Sequence, residues 1–272
     1  MNDSLILKFS KLFSLLLIYS FATSIISQQV EEEVEFSYIE GSENGPSNWG
    51  NIKEEWESCK IGITQSPIIL FPRLPQRIPK SEKITKFYKP GKTIINTDHS
   101  IELEWNEKNN SKIQINNIDY FLLNVHWHSP SEHALNGIRY ALEAHFVHQS
   151  VDNKIAVIAF LYKFGLSDPF LSSIEDKIRK KISHETAELK GGKTDPSTVR
   201  MGGFQYYKYI GSLTTPPCSE PVWWTVETTV GTVSRQQVKL LRGALGDGTS
   251  GNARPLQPIN GRMLNLYDTR FP

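Results

Sequence analysis

Charge of either sign is scarce in excess: 30 Lys and Arg stand against 29 Asp and Glu, for a net charge of +1. No basic cluster exceeds Arg179-Lys180-Lys181, so the electrostatic footprint of a nucleic-acid binder is absent. Long hydrophobic runs are also lacking. The one pronounced run, residues 12–21 (LFSLLLIYSF), is shorter than the ~20 residues that a bilayer span needs, and nothing after it is long enough to cross a membrane. There is no internal repeat, and no Ser/Gly-rich linker divides the chain. Cysteine is almost missing: Cys59 and Cys218 allow one bridge or two free thiols.

The short apolar run follows Lys8 and Lys11 and precedes Ala22, Ser24 and Ser27. That is the pattern of a secretory signal peptide, expected over residues 1–27, with an N-terminal anchor as the other reading. Residues 28–272 then form a single domain, with enough chain for a substantial core. The acidic stretch QQVEEEVE opens it. Passage through an oxidising compartment favours pairing of Cys59 with Cys218, which on chain-entropy grounds adds at most about 5 kcal/mol. Asn109-Asn110-Ser111 is an N-glycosylation sequon in a polar turn.

Strand signals dominate. Residues 100–105 and 112–116 alternate with period two. Residues 120–128, 140–148, 155–162, 204–209 and 221–230 are rich in β-branched and aromatic residues, several apolar on both faces as in covered central strands. Two helices are expected. One starts at Asp168-Pro169 and keeps Phe170, Ile174, Ile178 and Ile182 on one face. The other follows a capping box at Ser234 and Gln237, carries Val238, Leu241 and Leu245, and ends at Gly246. The fold expected is mainly β (α+β): a large, twisted, mostly antiparallel sheet with a few peripheral helices.

Of seven histidines, five crowd between positions 126 and 148. His126 and His128 flank Trp127, and residues two apart on a strand project from the same face. After a polar turn, a second strand puts Glu143, His145 and Val147 on one face. If those strands pair, His126, His128 and His145 form a three-imidazole site with one open tetrahedral position, the arrangement of catalytic zinc. Asn124 and Glu143, two residues before His126 and His145, are acceptors of the type that metal-bound imidazoles need on the other ring nitrogen. Spacing alone leaves two alternatives open: an ordinary polar strand face, and a cupin-type iron or manganese site with Glu132 as a ligand. The second cupin motif has no counterpart after His148.

The segment from His126 to His133 (HWHSPSEH) resembles the metal segment of the α-class carbonic anhydrases. So do LEAHFVH around His145 and GSLTTPPC around Thr214. So do Gln65-Ser66-Pro67-Ile68, Asn44-Gly45-Pro46 with Trp49-Gly50, and Asn252-Ala253-Arg254-Pro255-Leu256-Gln257-Pro258. The similarity runs from about Phe36 to Tyr267 and looks closest to plant members. It implies zinc on His126, His128 and His145, and reversible hydration of carbon dioxide to bicarbonate by zinc hydroxide. It implies that Thr214 accepts from that hydroxide and donates to Glu132, and that Thr214 and Thr215 receive bicarbonate. Val147, Val157, Leu213, Val222 and Trp224 match the apolar wall of the carbon dioxide pocket, His99 matches the proton shuttle, and Cys59 and Cys218 match the disulfide of extracellular members. Tyr38, Asn96 and Thr97 are further members of the solvent network. Two departures stand out: Asn124 where the family usually has glutamine, and Asp98 where a glycine is usual beside the shuttle. The expected destination is the extracellular space or apoplast, with the chloroplast stroma by way of the secretory pathway as the alternative. The rival function is a non-catalytic relative used for binding or storage. Oligomeric state is not legible.

Overall fold

The computed structural model describes residues 36–79, 82–96, 100–105, 111–183, 189–199, 203–243, 245 and 251–271. The expected signal peptide, the sequon at Asn109 and the shuttle segment with Thr97, Asp98 and His99 lie outside the described residues.

Ten strands follow one another across the main sheet. Their spatial order is Leu189–Thr194, Gly91–Asn96, Glu102–Trp105, Ile118–His128, Leu142–Ser150, Ile155–Phe164, Val222–Glu227, Gln205–Gly211, Asn265–Asp268 and Gln76–Arg77. Three more strands attach off this path to make thirteen, and a separate three-stranded sheet lies outside it. Most pairings are antiparallel. The exceptions in the main sheet are Ile155–Phe164 with Val222–Glu227 and with Gly231–Val233, and Asn265–Asp268 with Gln76–Arg77, which run parallel.

The centre of the sheet is Leu142–Ser150 and Ile155–Phe164, in which almost every residue is buried on both faces. Alternation sends their side chains into two separate cores. Phe146, Ile158 and Phe160 pack on one face with Phe170, Ile174, Ile178, Val238 and Leu241 from the two helices. Val147, Val157, Ala159 and Leu161 pack on the other with Tyr209, Val222 and Trp224. Helices thus cover one face, and the other holds the histidines.

Both expected helices form. The first is Pro169–Ser183, with Asp168 Oδ1 accepting from the Leu171 N–H at 2.8 Å. Its buried face stops at Ile178 and Lys181; Ile182, expected inside, is 41% exposed. The second, Arg235–Arg242, has the capping box at Ser234 and Gln237. It ends three residues short of the expected stop: Gly243 caps it, accepting no further turn, and Leu245 lies beyond. A glycine inside a helix costs about 1 kcal/mol, so the chain leaves the helix at the first one it meets. Gln237 also ties the helices together, accepting from the Asp168 N–H and donating to the Asp168 carbonyl.

His148, the last histidine of the cluster, belongs to the helix-side core rather than to the site. Its Nδ1–H donates to the Ala156 carbonyl (3.2 Å) and its Nε2 accepts from the Tyr88 hydroxyl (2.8 Å). Burial depresses its pKa to about 3. Between about pH 3 and 6.5 the unfolded chain binds a proton here that the native state refuses, so stability falls as pH falls through that window. At about pH 4.5 the loss is about 2.7 kcal/mol. Comparing His148→Gln with the parent, both metal-free, by urea unfolding between about pH 7.5 and 4.5 should show a pH dependence smaller by that amount. Parallel curves would mean that the native ring titrates normally.

Candidate metal centre

The two strands that carry the histidines pair antiparallel, with His145 opposite His126 and Glu143 opposite His128. One nitrogen from each of His126, His128 and His145 lies within 4.8 Å of the others. His126 Nε2 and His145 Nδ1 are 3.3 Å apart. Zinc–nitrogen bonds of about 2.05 Å in a tetrahedron put neighbouring donors about 3.3 Å apart, so the spacing fits such an ion.

The far side of each ring is held. His126 Nδ1 donates to Asn124 Oδ1 at 2.9 Å, so the shorter amide still reaches the ring. His128 Nδ1 donates to the Asn252 carbonyl at 2.7 Å. His145 Nε2 donates to Glu143 Oε1 at 2.8 Å. Those bonds fix the tautomers, leaving a lone pair on each nitrogen that faces the centre. Burial lowers the pKa of His128, and burial with the neighbouring rings lowers that of His126 well below the usual histidine value, which keeps both in the neutral form that a metal takes.

Two buried atoms here have no hydrogen-bond partner: His128 Nε2 and Glu132 Oε2. They are 3.6 Å apart, and Glu132 Oε2 is 4.0 Å from His145 Nδ1. Glu132 is wholly buried, and its other oxygen accepts from the Arg254 N–H at 2.9 Å. A buried acceptor without a donor is costly, and three imidazoles with a nitrogen turned to the centre plus such atoms suit an incoming cation. The residues present therefore fit a zinc ion on His126, His128 and His145.

Glu143 is the hub behind the site. It also accepts from His133 Nδ1 (2.6 Å) and the His133 N–H (2.8 Å). Burial works to raise its pKa, but the electrostatic attraction of the adjoining His133 and His145 rings and the hydrogen bonds they donate outweigh it and hold it well below the carboxylate range. Since His133 Nδ1 donates to Glu143, its Nε2 accepts from the Tyr209 hydroxyl (2.7 Å), which in turn accepts from Ser66 Oγ (2.9 Å). His133, Tyr209, Asn252 and Arg254 take positions that spacing along a strand does not reveal; the only sequence signal for His133, Asn252 and Arg254 was membership of the quoted motifs, and Tyr209 had none beyond its place in the expected strand over 204–209. Glu143→Gln keeps an acceptor for His145 but removes the charge. It should weaken zinc binding about 10- to 100-fold in a chelator competition, and an unchanged affinity would show that Glu143 only packs.

The residues matched to the apolar wall do come together. Val147, Val157, Val222 and Trp224 are buried in one cluster, with Leu213 packed against it. Trp224 brings that cluster to the site, its ring 4.9 Å from that of His145. Thr214 is buried, and Thr215 accepts at its carbonyl from the Cys218 N–H (2.9 Å). Cys59 and Cys218 are bonded to each other. Tyr38 sits in an aromatic group with Phe36 and Trp49.

The profile of the eukaryotic-type carbonic anhydrase family matches residues 44–267. Alpha carbonic anhydrase 7 of Arabidopsis thaliana is 43% identical over 261 residues, spanning 95% of this chain and 94% of the relative. Dioscorin dioA3 of Dioscorea japonica is 42% identical over 263 residues, spanning 95% and 96%. The crystal structure of a dioscorin complexed with ascorbate superimposes with a TM-score of 0.83 at 41% identity, covering 88% of this chain and all of that one. These matches and the single large sheet remove the cupin alternative.

Proposed function

Because the chain belongs to the eukaryotic-type, α-class carbonic anhydrase family, we propose that it catalyses the reversible hydration of carbon dioxide to bicarbonate, with zinc on His126, His128 and His145. The observation that carries this reading is the convergence of three imidazole donors and the unpartnered Glu132 Oε2 beside an apolar cluster. Zinc held there supplies a water acidic enough to ionise near neutral pH.

The chain's own residues do the rest. Glu132, its Oε1 already engaged by the Arg254 N–H, has Oε2 left without a donor, and in this reading the Thr214 hydroxyl would supply one. With its proton spent, the Thr214 oxygen acts only as an acceptor, which orients the nucleophile's hydrogen away from the substrate. Val147, Val157, Leu213, Val222 and Trp224 hold carbon dioxide, whose lack of charge suits a dry apolar wall. Thr214 and Thr215 receive bicarbonate, and His99 passes the released proton to solvent. The pattern of residues 1–27 and the Cys59–Cys218 bridge support entry into the secretory pathway.

The test is stopped-flow carbon dioxide hydration with zinc determined on the same sample. The expected result is about one zinc per chain, activity lost on chelation and restored by zinc, and a fall of about a hundredfold in kcat/KM for Thr214→Val, the scale of one lost orienting hydrogen bond. Zinc without hydration would favour a binding role instead, and correctly folded protein that takes no zinc would sink the mechanism.

A further inference from the structure

Trp224 faces the metal centre, so its neighbour Trp223 faces the opposite side of the sheet. There it is 37% exposed, with Ile210 and Met263 also exposed at 39% and 75%. Two adjoining cavities open on this surface and share Trp223, Lys208 and Glu82 as walls. The larger, about 550 Å³, has an apolar side formed by Ile115, Ile118, Tyr120 and Ile155. The smaller, about 410 Å³, adds Ile210, Arg262 and Met263.

Lys208 lies between them and is itself only 4% exposed. Its ammonium donates to Glu82 Oε2 (3.0 Å) and to the Glu82 carbonyl (3.3 Å), so two of its three N–H bonds go to one residue. Arg262 spends its donors on five backbone carbonyls, those of Ile259, Thr64, Ile210, Gln65 and Pro258, and on no carboxylate. The wall of the smaller cavity thus carries two cations, Lys208 and Arg262, and the carboxylate of Glu82, while Glu220 on the wall of the larger cavity acts on Arg262. In the larger cavity, Lys154 is paired at 3.7 Å with Asp152, and Glu220 is engaged by the Thr64 N–H and Gln65 Nε2.

We propose that this pair of cavities is a second binding site, for a small amphipathic organic acid. Its apolar body lies along Trp223 in the larger cavity, and its carboxylate takes the remaining N–H of Lys208 at the boundary with the smaller one. An exposed tryptophan flanked by aliphatic residues supplies the affinity, since apolar surface left in water this way is stabilised when covered. The buried ammonium supplies the selectivity for an anion, because its charge is poorly solvated. The site is separated from the metal centre by the thickness of the sheet, so occupancy need not disturb hydration.

Calorimetric titration of the zinc-loaded protein with laurate and with dodecyltrimethylammonium tests this, since the two tails match and the head groups differ in sign. Expected is one saturable laurate site at micromolar concentration, and binding of the cation weaker by at least about tenfold. Trp223→Ala and Lys208→Met, each checked for native folding by circular dichroism, should each weaken laurate by about tenfold or more and leave zinc content unchanged. Hydration measured with laurate saturating should be unaltered if that activity is present. Equal affinity for both head groups, laurate binding that survives Trp223→Ala, or no saturable binding up to about 1 mM would each overturn the proposal. Laurate that inhibits hydration while ignoring both substitutions would place it at zinc and overturn it as well.

Discussion

On the proposed mechanism, His128→Ala should abolish stoichiometric zinc and lower carbon dioxide hydration at least about a thousandfold. The ring is 1% exposed, its Nε2 has no partner but the centre, and its Nδ1 is committed to the Asn252 carbonyl. Alanine removes one of three donors, and two imidazoles do not hold a tetrahedral ion at micromolar concentration as three do. Without the ion, water keeps its ordinary acidity and the concentration of nucleophile at neutral pH falls by orders of magnitude. Metal analysis and stopped-flow hydration on the same preparation check this, with circular dichroism to show that the sheet is intact. The contrast with Glu143→Gln is part of the prediction: the positioning carboxylate weakens the site, the ligand removes it. A His128→Ala protein that retains zinc and turns over would mean that the ion sits elsewhere, with His133, Glu143 and His145 as the other group of donors that lie close together.

Removing the bridge has the second large effect. Cys59→Ser combined with Cys218→Ser should lower the free energy of unfolding by about 5 kcal/mol, since the bond closes a loop with a sequence separation of 159 and loop entropy grows with its logarithm. Against a typical stability of about 5–15 kcal/mol this is a large fraction. The midpoint of thermal unfolding should drop by about 10–20 °C for a domain of this size. The consequence reaches the centre as well. Gln65 Nε2 donates to the Cys218 carbonyl, Arg254 Nη2 to the Cys59 carbonyl, and the Arg254 N–H to Glu132, so the bridged segments brace the carboxylate that faces the histidines. Urea unfolding of parent and variant gives the number, and a difference under about 1 kcal/mol would show that the unfolded chain is already as constrained as the bridged one.

The central strands and both helices were legible because their signals are local. A covered strand is apolar throughout, as in Ile155–Phe164, and a capping box announces itself within four residues. The edge strand Leu189–Thr194 and its neighbour Gly91–Asn96 were not. LKGGKT and GKTIIN carry glycine and lysine, which have little strand preference; the two pair with each other, and Gly91–Asn96 pairs on its other side with Glu102–Trp105. The end of the second helix was misplaced because two glycines, Gly243 and Gly246, offered the same stop.

The candidate metal ligands follow the same division. His126 and His128 lie on one strand face, Asn124 and Glu143 stand two residues from the rings they hold, and period two is enough to find them. His128 finds its other partner 124 residues away, Glu132 accepts from an N–H 122 residues on, and His133 meets a hydroxyl 76 residues on. No local period encodes contacts at such separations; chain folding makes them. The sequence by itself therefore determined which chemistry is available: neutral imidazoles in register, acceptors to orient them, one pair of cysteines. The tertiary structure alone decided that Glu132 keeps an unsatisfied oxygen among those rings, because Arg254 takes only the other one. It decided too which side of the sheet is closed by helices and which side of Trp223 stays open. Alternation places a side chain above or below a sheet, but what covers it depends on where distant elements come to rest.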